Sequence, residues 1–181
     1  MTDLPDSTLK RARRGDHAAF AALIRHYDPG LRALAYRVLG DRDRMDDALQ
    51  EAYVHAYRAL PRFRGGSSLG TWLYRIAYNA CVDELKRART VVSLEQVHER
   101  PDPRPALVDS LSTRSLLETA LARLEPADRA AVLLVDAQGF DYRSAGEILG
   151  VPEGTIASRL NRARTLLRRA LDPSLEGASR R

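Results

Sequence analysis

Apolar residues recur every three or four positions along most of this 181-residue chain, and this spacing restricts the fold more than any other feature. Such a repeat places apolar side chains on one face of an α-helix. The alternation typical of a half-buried strand is nearly absent, since the best candidates, Val91 and Val92, are too few. With 44% hydrophobic residues, the chain has enough apolar material for a packed core. The sequence therefore predicts an all-α protein.

Proline and glycine divide the helical pattern into two blocks. Residues 89–112 contain three prolines in an alternating run, a spacing that disfavours both helix and central strand. We expect two small helical domains, over residues 10–88 and 113–172, joined by a flexible linker over residues 89–112. A polar tail that is expected to fray follows the second domain.

Start and stop signals predict four helices in the first domain. Asp16 is the expected N-cap of one helix, and Pro29 is expected near the start of the next, which ends at Gly40. A long helix follows over about residues 43–60. The last covers about residues 68–87, after a glycine-containing break.

The most specific pattern lies near the C-terminus. A short helix over about residues 141–149 ends at Gly150, and Pro152 suits the first turn of a second helix, where its missing N–H costs nothing. The small residues Ala145 and Gly146 would let the two helices approach closely. A helix pair with a short glycine turn is the arrangement in which the second helix enters the major groove of DNA.

The second helix of this pair has one apolar face and one basic face. From Thr155 to Leu171 it holds five arginines and no acidic residue. Residues near the start of such a helix reach base edges, whereas arginines farther along suit phosphates. A solvated basic face on a structural helix is the alternative interpretation. The turn, the small residues and the acid-free run coincide, which favours DNA.

Composition narrows the function classes. The formal net charge is +5, and arginine carries almost all the positive charge, which fits a polyanionic partner, although a GC-rich genome would give the same bias. Cys81 is the only cysteine and the four histidines are scattered, so we expect no disulfide, no metal and no cofactor. No phosphate-binding loop or catalytic triad supports an enzyme. The chain has no signal-peptide pattern and no apolar run of about 20 residues, so we expect a cytoplasmic protein without direct membrane insertion.

Three segments resemble one known family, the sigma-70 factors of RNA polymerase, in their small extracytoplasmic-function (ECF) group. The promoter −35 reading domain of that family is similar to LEPADRAAVLLVDAQGFDYRSAGEILGVPEGTIASRLNRAR. The helix that docks on the polymerase is similar to DRMDDALQEAYVHAYRAL, and the segment that melts and reads the −10 element is similar to FRGGSSLGTWLYRIAYNACVDELKR. These matches follow the family's order over about residues 10–171. The additional domain of primary sigma factors is missing, as in the ECF group.

The resemblance implies a function and a set of partners. It implies an ECF-type sigma factor that binds core RNA polymerase, at the β′ clamp coiled coil and the β subunit, and directs initiation at promoter DNA. An anti-sigma factor is a further expected partner, and the linker is expected to thread through the polymerase.

The resemblance also implies three groups of contact residues. Polymerase contacts are expected from Asp47, Gln50, Glu51, Val54 and Arg58, where an exposed valine among polar residues suits a docking face. Without the resemblance, an ordinary solvated helix face would be the preferred interpretation. Contacts with the −10 element are expected from Phe63, Arg64, Gly65, Gly66, Ser67, Ser68, Arg75, Asn79, Lys86 and Arg87. Contacts with the −35 element are expected from Glu153, Gly154, Thr155, Ser158, Arg159, Arg162 and Arg164.

Several residues of the −10 segment have a second interpretation. Trp72 is expected in the core, and Tyr74 and Tyr78 are expected to pack against a neighbouring helix rather than to stack on bases. The position of Tyr78 is often basic in the family. Asp83 falls on the predicted apolar stripe and could pair with Arg87 at i+4.

Two other functions are alternatives to this interpretation of the sequence. A helix-turn-helix regulator that acts without core polymerase would leave the N-terminal resemblance unexplained, and such regulators usually bind palindromes as dimers. A helical adaptor would use the arginines for solubility alone and would bind no DNA.

Overall fold

Every regular element is helical in the computed structural model, which describes residues 6–94 and 113–171. The all-α prediction is confirmed for these residues; most of the predicted linker and the polar tail lie outside them. The α-helices are α1 (Asp6–Arg13), α2 (His17–Leu39), α3 (Arg42–Ala59), α4 (Leu69–Leu94), α5 (Thr113–Ala122), α6 (Pro126–Val132), α7 (Tyr142–Leu149) and α8 (Glu153–Leu171). A 3-10 turn (Leu60–Arg62) follows α3, and a π-helical turn (Leu133–Ala137) continues α6.

The predicted cap signals lie at the ends of α2. Asp16 Oδ1 accepts a hydrogen bond from Ala19 N at 3.0 Å, which satisfies one of the free amides of the first turn. Gly40 ends the helix with φ 72°, a left-handed conformation that glycine adopts without steric cost, and its N–H donates to Tyr36 O at 2.7 Å.

The predicted helix boundary at Pro29 is wrong, because α2 continues through this residue. An interior proline removes one backbone hydrogen bond and costs about 3 kcal/mol. Leu23 lies before Pro29 and Leu31 and Leu34 lie after it, all three fully buried. Burial of each leucine contributes about 1.5–3 kcal/mol, so the packing of one continuous helix outweighs the local cost of proline.

Helix α4 extends beyond its predicted end at residue 87. It continues to Leu94, so residues 89–94 of the predicted linker are helical, and the strand candidates Val91 and Val92 lie in a helix. No glycine or proline occurs between Gly70 and Leu94, and the chain therefore has no local reason to leave the helix there.

The two helical halves pack against each other and share one apolar core. Helices α2 and α4 of the first half contact α6 and α7 of the second. The buried residues of this shared core include Leu31, Leu34, Val38, Leu49, Tyr78, Cys81, Leu134, Ile148, Ile156 and Leu160. A smaller core in the first half lies between α1, α2 and α4, around Ala12, Leu23, Leu60, Trp72 and Leu73. The sequence predicted two domains but not this packing between them.

Candidate nucleic-acid interface

The predicted helix-turn-helix is formed by α7 and α8. Asp141 Oδ1 caps α7 by accepting from Ser144 N at 2.6 Å, and this bond lowers the pKa of the Asp141 carboxyl. The turn follows at Gly150, with φ 66°. A Cβ atom on Gly146 would lie 2.7 Å from Val151 O, so only glycine fits at this close approach. The small residue therefore lies where the sequence predicted it.

Helix α8 buries one face and exposes the first two turns of the other. Ile156, Leu160 and Ala163 are fully buried against the rest of the domain. The expected −35 contacts at the start of the helix point away from this core. Glu153, Gly154 and Ser158 are exposed and Thr155 is half-buried.

The arginines of α8 that were expected to contact DNA form ion pairs within the protein. Arg162 binds both carboxylate oxygens of Asp128 at 2.7 Å, and Arg159 Nε lies 4.0 Å from Asp128 Oδ1. Arg164 binds both oxygens of Asp136, at 3.1 and 2.6 Å. These hydrogen bonds raise the pKa of Arg162 and of Arg164, and both guanidinium groups remain charged.

The loop before α4 is exposed and glycine-rich, as its predicted −10 role requires. Residues 64–66 are exposed, and Gly65 has φ 74°. Phe63 is anchored against Trp72, with ring centroids 5.2 Å apart. Ser67 is half-buried and Ser68 is exposed; the Ser68 hydroxyl caps α4 by accepting from Thr71 N at 3.0 Å. The Ser68 hydroxyl is therefore already used as a helix cap.

The polar flank of α4 is exposed. Arg75, Asn79 and Lys86 lie on one side of the helix. The interpretation of Asp83 as a member of the apolar stripe is wrong: its side chain is 64% exposed and pairs with Lys86 at 3.1 Å, not with Arg87. Arg87 instead forms a bidentate pair with Glu51 of α3, at 2.9 and 2.8 Å.

The three aromatic residues of α4 pack inside the protein, as the sequence predicted. Trp72, Tyr74 and Tyr78 are all buried. The Tyr74 hydroxyl donates to Gln138 Oε1 at 2.8 Å, and its ring meets Phe140 edge-on at 4.9 Å. Burial raises the pKa of Tyr74 to about 12 and also raises that of Tyr78.

A polar face with one apolar residue runs along α3. All five predicted polymerase contacts are exposed there, namely Asp47, Gln50, Glu51, Val54 and Arg58. Val54 is 45% exposed, on the side of the helix opposite the buried Ala48, Leu49 and Ala52. His55 lies beside Glu51, Val54 and Arg58 on this face, and sequence reasoning missed it because a lone exposed histidine carries no signal.

Sequence reasoning also missed two charged residues of α6. Asp128 is buried beneath α8, and Arg129 Nη1 donates to Arg37 O of α2 at 2.6 Å. Arg129 Nη2 donates to Ala122 O and Leu124 O at 2.7 and 2.8 Å. The available signal was an adjacent acid and base inside the apolar run LEPADRAAVLL.

Comparison with known proteins matches the two helical halves to two regions of one protein family. Residues 23–91 match the family model of sigma-70 region 2, and residues 114–167 match that of sigma-70 region 4. The chain is 40% identical over 159 residues to the ECF RNA polymerase sigma factor SigM of Mycobacterium tuberculosis, covering 87% of this chain and 79% of that protein. The chain belongs to the ECF group of the sigma-70 family. This sigma factor is also 32% identical over 193 residues to the RNA polymerase sigma-H factor of Pseudomonas aeruginosa, covering 98% and 100% of the two chains.

Two solved structures, one of them of a sigma factor, have the same fold. The sigma factor RpoE of Bartonella quintana, bound to the anti-sigma factor NepR, is 33% identical with a TM-score of 0.70, and the match covers 84% of this chain and 96% of that one. CnrH, in complex with the cytosolic domain of CnrY, has a TM-score of 0.66 at 22% identity, over 95% and 97% of the two chains.

Two further findings concern only the part of the chain that the structure describes. No helix there is long and apolar enough to cross a membrane. No group of three or more histidine, cysteine or acidic residues is arranged there to hold a metal ion.

Proposed function

We propose that this sigma factor binds core RNA polymerase through the exposed face of α3 and brings it to promoters by reading the −10 element with the first half and the −35 element with the second. The observation that carries the proposal is the exposed Val54 among Asp47, Gln50 and Glu51. An apolar residue in a polar frame suits a helix of another protein, which we take to be the β′ clamp coiled coil. A regulator acting alone has no use for this face.

The start of α8 is the proposed base-reading surface for the −35 element. Glu153, Gly154, Thr155 and Ser158 lie in its first two turns, which is the part of a recognition helix that enters the major groove. Glu153 can accept a hydrogen bond from a cytosine amino group. The hydroxyls of Thr155 and Ser158 can bond to either donors or acceptors on base edges. Arg164 lies farther along α8, where a phosphate contact is the expected role.

The loop over residues 63–68 and the flank of α4 are the proposed −10 surface. The loop exposes backbone groups at Gly65 and Gly66, which allows close approach of an extruded base. Arg75, Asn79 and Lys86 follow along α4, and this spacing suits a single strand's phosphates and base edges. Arg87 lies on the Glu51 side of the helix and is proposed to act at the border of the docking face.

Simultaneous reading of both elements requires the two halves to separate. Helix α4 contacts α7, which in turn contacts α8, so α4 and α8 lie within about 20 Å at the usual spacing of packed helices. About 25 base pairs separate the −10 and −35 elements, or about 85 Å of B-form DNA. We infer that the packed arrangement belongs to the free protein and opens in the complex with polymerase.

The proposal includes further partners and a location. An anti-sigma factor is proposed because the sigma factor RpoE of Bartonella quintana, which has a similar fold, was crystallised with the anti-sigma factor NepR. The second half is proposed to contact the β subunit. The site of action is the cytoplasm, with the polymerase, and the protein has no covalent chemistry of its own in this proposal.

Permanganate reactivity of promoter DNA tests the proposal directly. With this chain and core polymerase together, thymines of the −10 element become reactive because the duplex opens. The chain alone and core alone leave them protected. Binding of the chain alone to a palindromic duplex, without opening when core is added, would contradict the proposal.

A further inference from the structure

Asp128 is a buried carboxylate that lies beneath the recognition helix. It is 3% exposed and is the only charged residue in the buried class among those whose burial is described. Arg162 Nε donates to one of its oxygens and Arg162 Nη2 to the other, both at 2.7 Å. The pair joins α6 to α8 at the edge of the core of the second half, with the carboxylate buried and the Arg162 side chain 63% exposed.

The burial of Asp128 makes this ion pair costly to open. A buried carboxylate needs a partner for its charge, and a bidentate guanidinium supplies two charge-assisted hydrogen bonds in one fixed plane. If Arg162 turned toward DNA, Asp128 would keep only Arg159, whose Nε lies 4.0 Å away. A contact between Arg162 and a DNA phosphate would therefore leave the buried carboxylate of Asp128 without its two strong hydrogen bonds.

A second ion pair on α8 provides the contrast. Arg164 also binds a carboxylate in a bidentate manner, and both guanidinium side chains are exposed, 63% for Arg162 and 42% for Arg164. The difference lies in the carboxylates, since the side chain of Asp136 is 38% exposed and that of Asp128 only 4%. Water can replace either partner of an exposed pair, so that such pairs contribute little to stability. Arg164 can therefore exchange Asp136 for a phosphate at small cost, whereas Arg162 cannot leave Asp128 in the same way.

We propose that Asp128 is a positioning residue for −35 recognition: by holding Arg162 it fixes the rotation and depth of α8, and Arg162 makes no contact with DNA. This inference rests on the proposed function and changes one part of it, because Arg162 was expected to read a base. Base reading is left to the first two turns of α8. Arg162 lies beyond these turns, about 13 Å along the axis from Glu153.

The test uses the complex of the full chain with core polymerase and measures promoter affinity as a function of salt and of −35 sequence. Arg162→Ala lowers discrimination between the native and a substituted −35 element by about tenfold, and the slope of log affinity against log salt is unchanged. Asp128→Asn has the same effect, and the double variant is no worse than either single variant. Arg164→Ala lowers the slope by about one and leaves discrimination unchanged.

Arg162→Lys separates positioning from a direct contact. Lysine keeps the charge but cannot form the bidentate pair, so this variant loses discrimination as Arg162→Ala does. Core binding by each variant is measured as the check that the chain still folds. Arg162 contacts DNA, and the inference is wrong, if Arg162→Ala lowers the salt slope by about one while Arg162→Lys and Asp128→Asn retain full discrimination.

The result with the unmodified chain distinguishes a failure of the positioning role of Asp128 from a failure of the proposed function. If the unmodified chain binds promoters with core polymerase and the Asp128 variants behave like it, only the positioning role is overturned. If the unmodified chain does not bind promoters with core polymerase, the proposed function is overturned, and the positioning role with it.

Discussion

At the scale of single residues, Gly146 of α7 lies against the backbone of the turn between the two helices of the helix-turn-helix. Its N-terminal neighbours are helical and its own carbonyl accepts from Val151 N at 3.0 Å. The opposing atom, Val151 O, belongs to the backbone and cannot rotate away from an added methyl group. The close approach of the turn to α7 therefore depends on the absence of one side chain.

Gly146→Ala is expected to lower the free energy of unfolding by about 1–3 kcal/mol, the usual cost of overpacking. Thermal unfolding followed by circular dichroism measures the change. Gly154→Ala is the matched control, because a Cβ there has no neighbour within 4 Å. Alanine at residue 154 should leave stability unchanged or raise it by up to about 1 kcal/mol. Equal destabilisation by both substitutions would contradict the account of Gly146.

The carboxylate cap of α7, Asp141, makes the stability of the fold decrease as pH falls. The hydrogen bond from Ser144 N lowers the pKa of Asp141 below its ordinary value of 3.8. A carboxyl with a lowered folded-state pKa stabilises the fold above its unfolded pKa, and this contribution is lost as pH falls through the folded pKa. Asp141→Asn keeps an acceptor at the cap but does not titrate.

We therefore expect the melting temperature of the unmodified chain to fall more steeply than that of Asp141→Asn between about pH 5 and pH 3. Asp16, whose pKa is lowered mainly by the backbone bond from Ala19 and then by Arg11, offers an independent repeat of the comparison. Parallel curves for the variant and the unmodified chain would show that the charge of Asp141 does not stabilise α7.

At the scale of helices, local signals in the sequence predicted most ends but not all. Asp16, Gly40 and Gly150 act within a few residues of their own position, so the sequence is enough to predict them. Pro29 is different, because its effect competes with the burial of leucines against other helices. The burial of Asp128 likewise depends on α8, more than 20 residues away in sequence; the acid and base inside the local apolar run do not show which helix covers them.

The exposed face of α3 is the proposed docking surface for core polymerase, so substitutions there should weaken binding. Val54→Asp and the double variant Asp47→Ala, Gln50→Ala should each weaken core polymerase binding by about tenfold or more, since central interface residues dominate affinity. Arg42→Ala is the control, because Arg42 is exposed on α3 but lies about 120° around the helix from Val54. Fluorescence anisotropy with labelled chain measures the affinities. Unchanged affinity in both face variants would remove α3 as the docking face.

At the scale of the whole molecule, the packing of the two halves was not predictable from their separate patterns. An apolar stripe indicates that a helix face is buried, but not which helix covers it. Gly30 of α2 lies at this contact: a Cβ there would clash with the Tyr74 hydroxyl and lie 2.7 Å from Gln138 Oε1. The residue makes room for the hydrogen bond that joins α4 to the second half.

Gly30→Ala is expected to loosen the contact between the halves without harming α2, because alanine favours a helix interior by about 1 kcal/mol over glycine. Energy transfer between dyes at residues 42 and 143 measures the separation. Native Cys81 should remain unlabelled, since it is buried and its pKa is raised to about 12. Transfer should fall in the free variant and be equally low for both proteins in the polymerase complex. High transfer in the free variant would contradict the role of Gly30.

The central claim is that this chain gives core RNA polymerase its promoter specificity, and run-off transcription tests it most directly. Core polymerase from the chain's own source is mixed with genomic fragments, with and without the chain. The account predicts discrete transcripts, with fixed start sites, only when both proteins are present, and their loss when the −10 or −35 element of the template is replaced. No stimulation of initiation on any fragment, with a folded chain and active core, would contradict it.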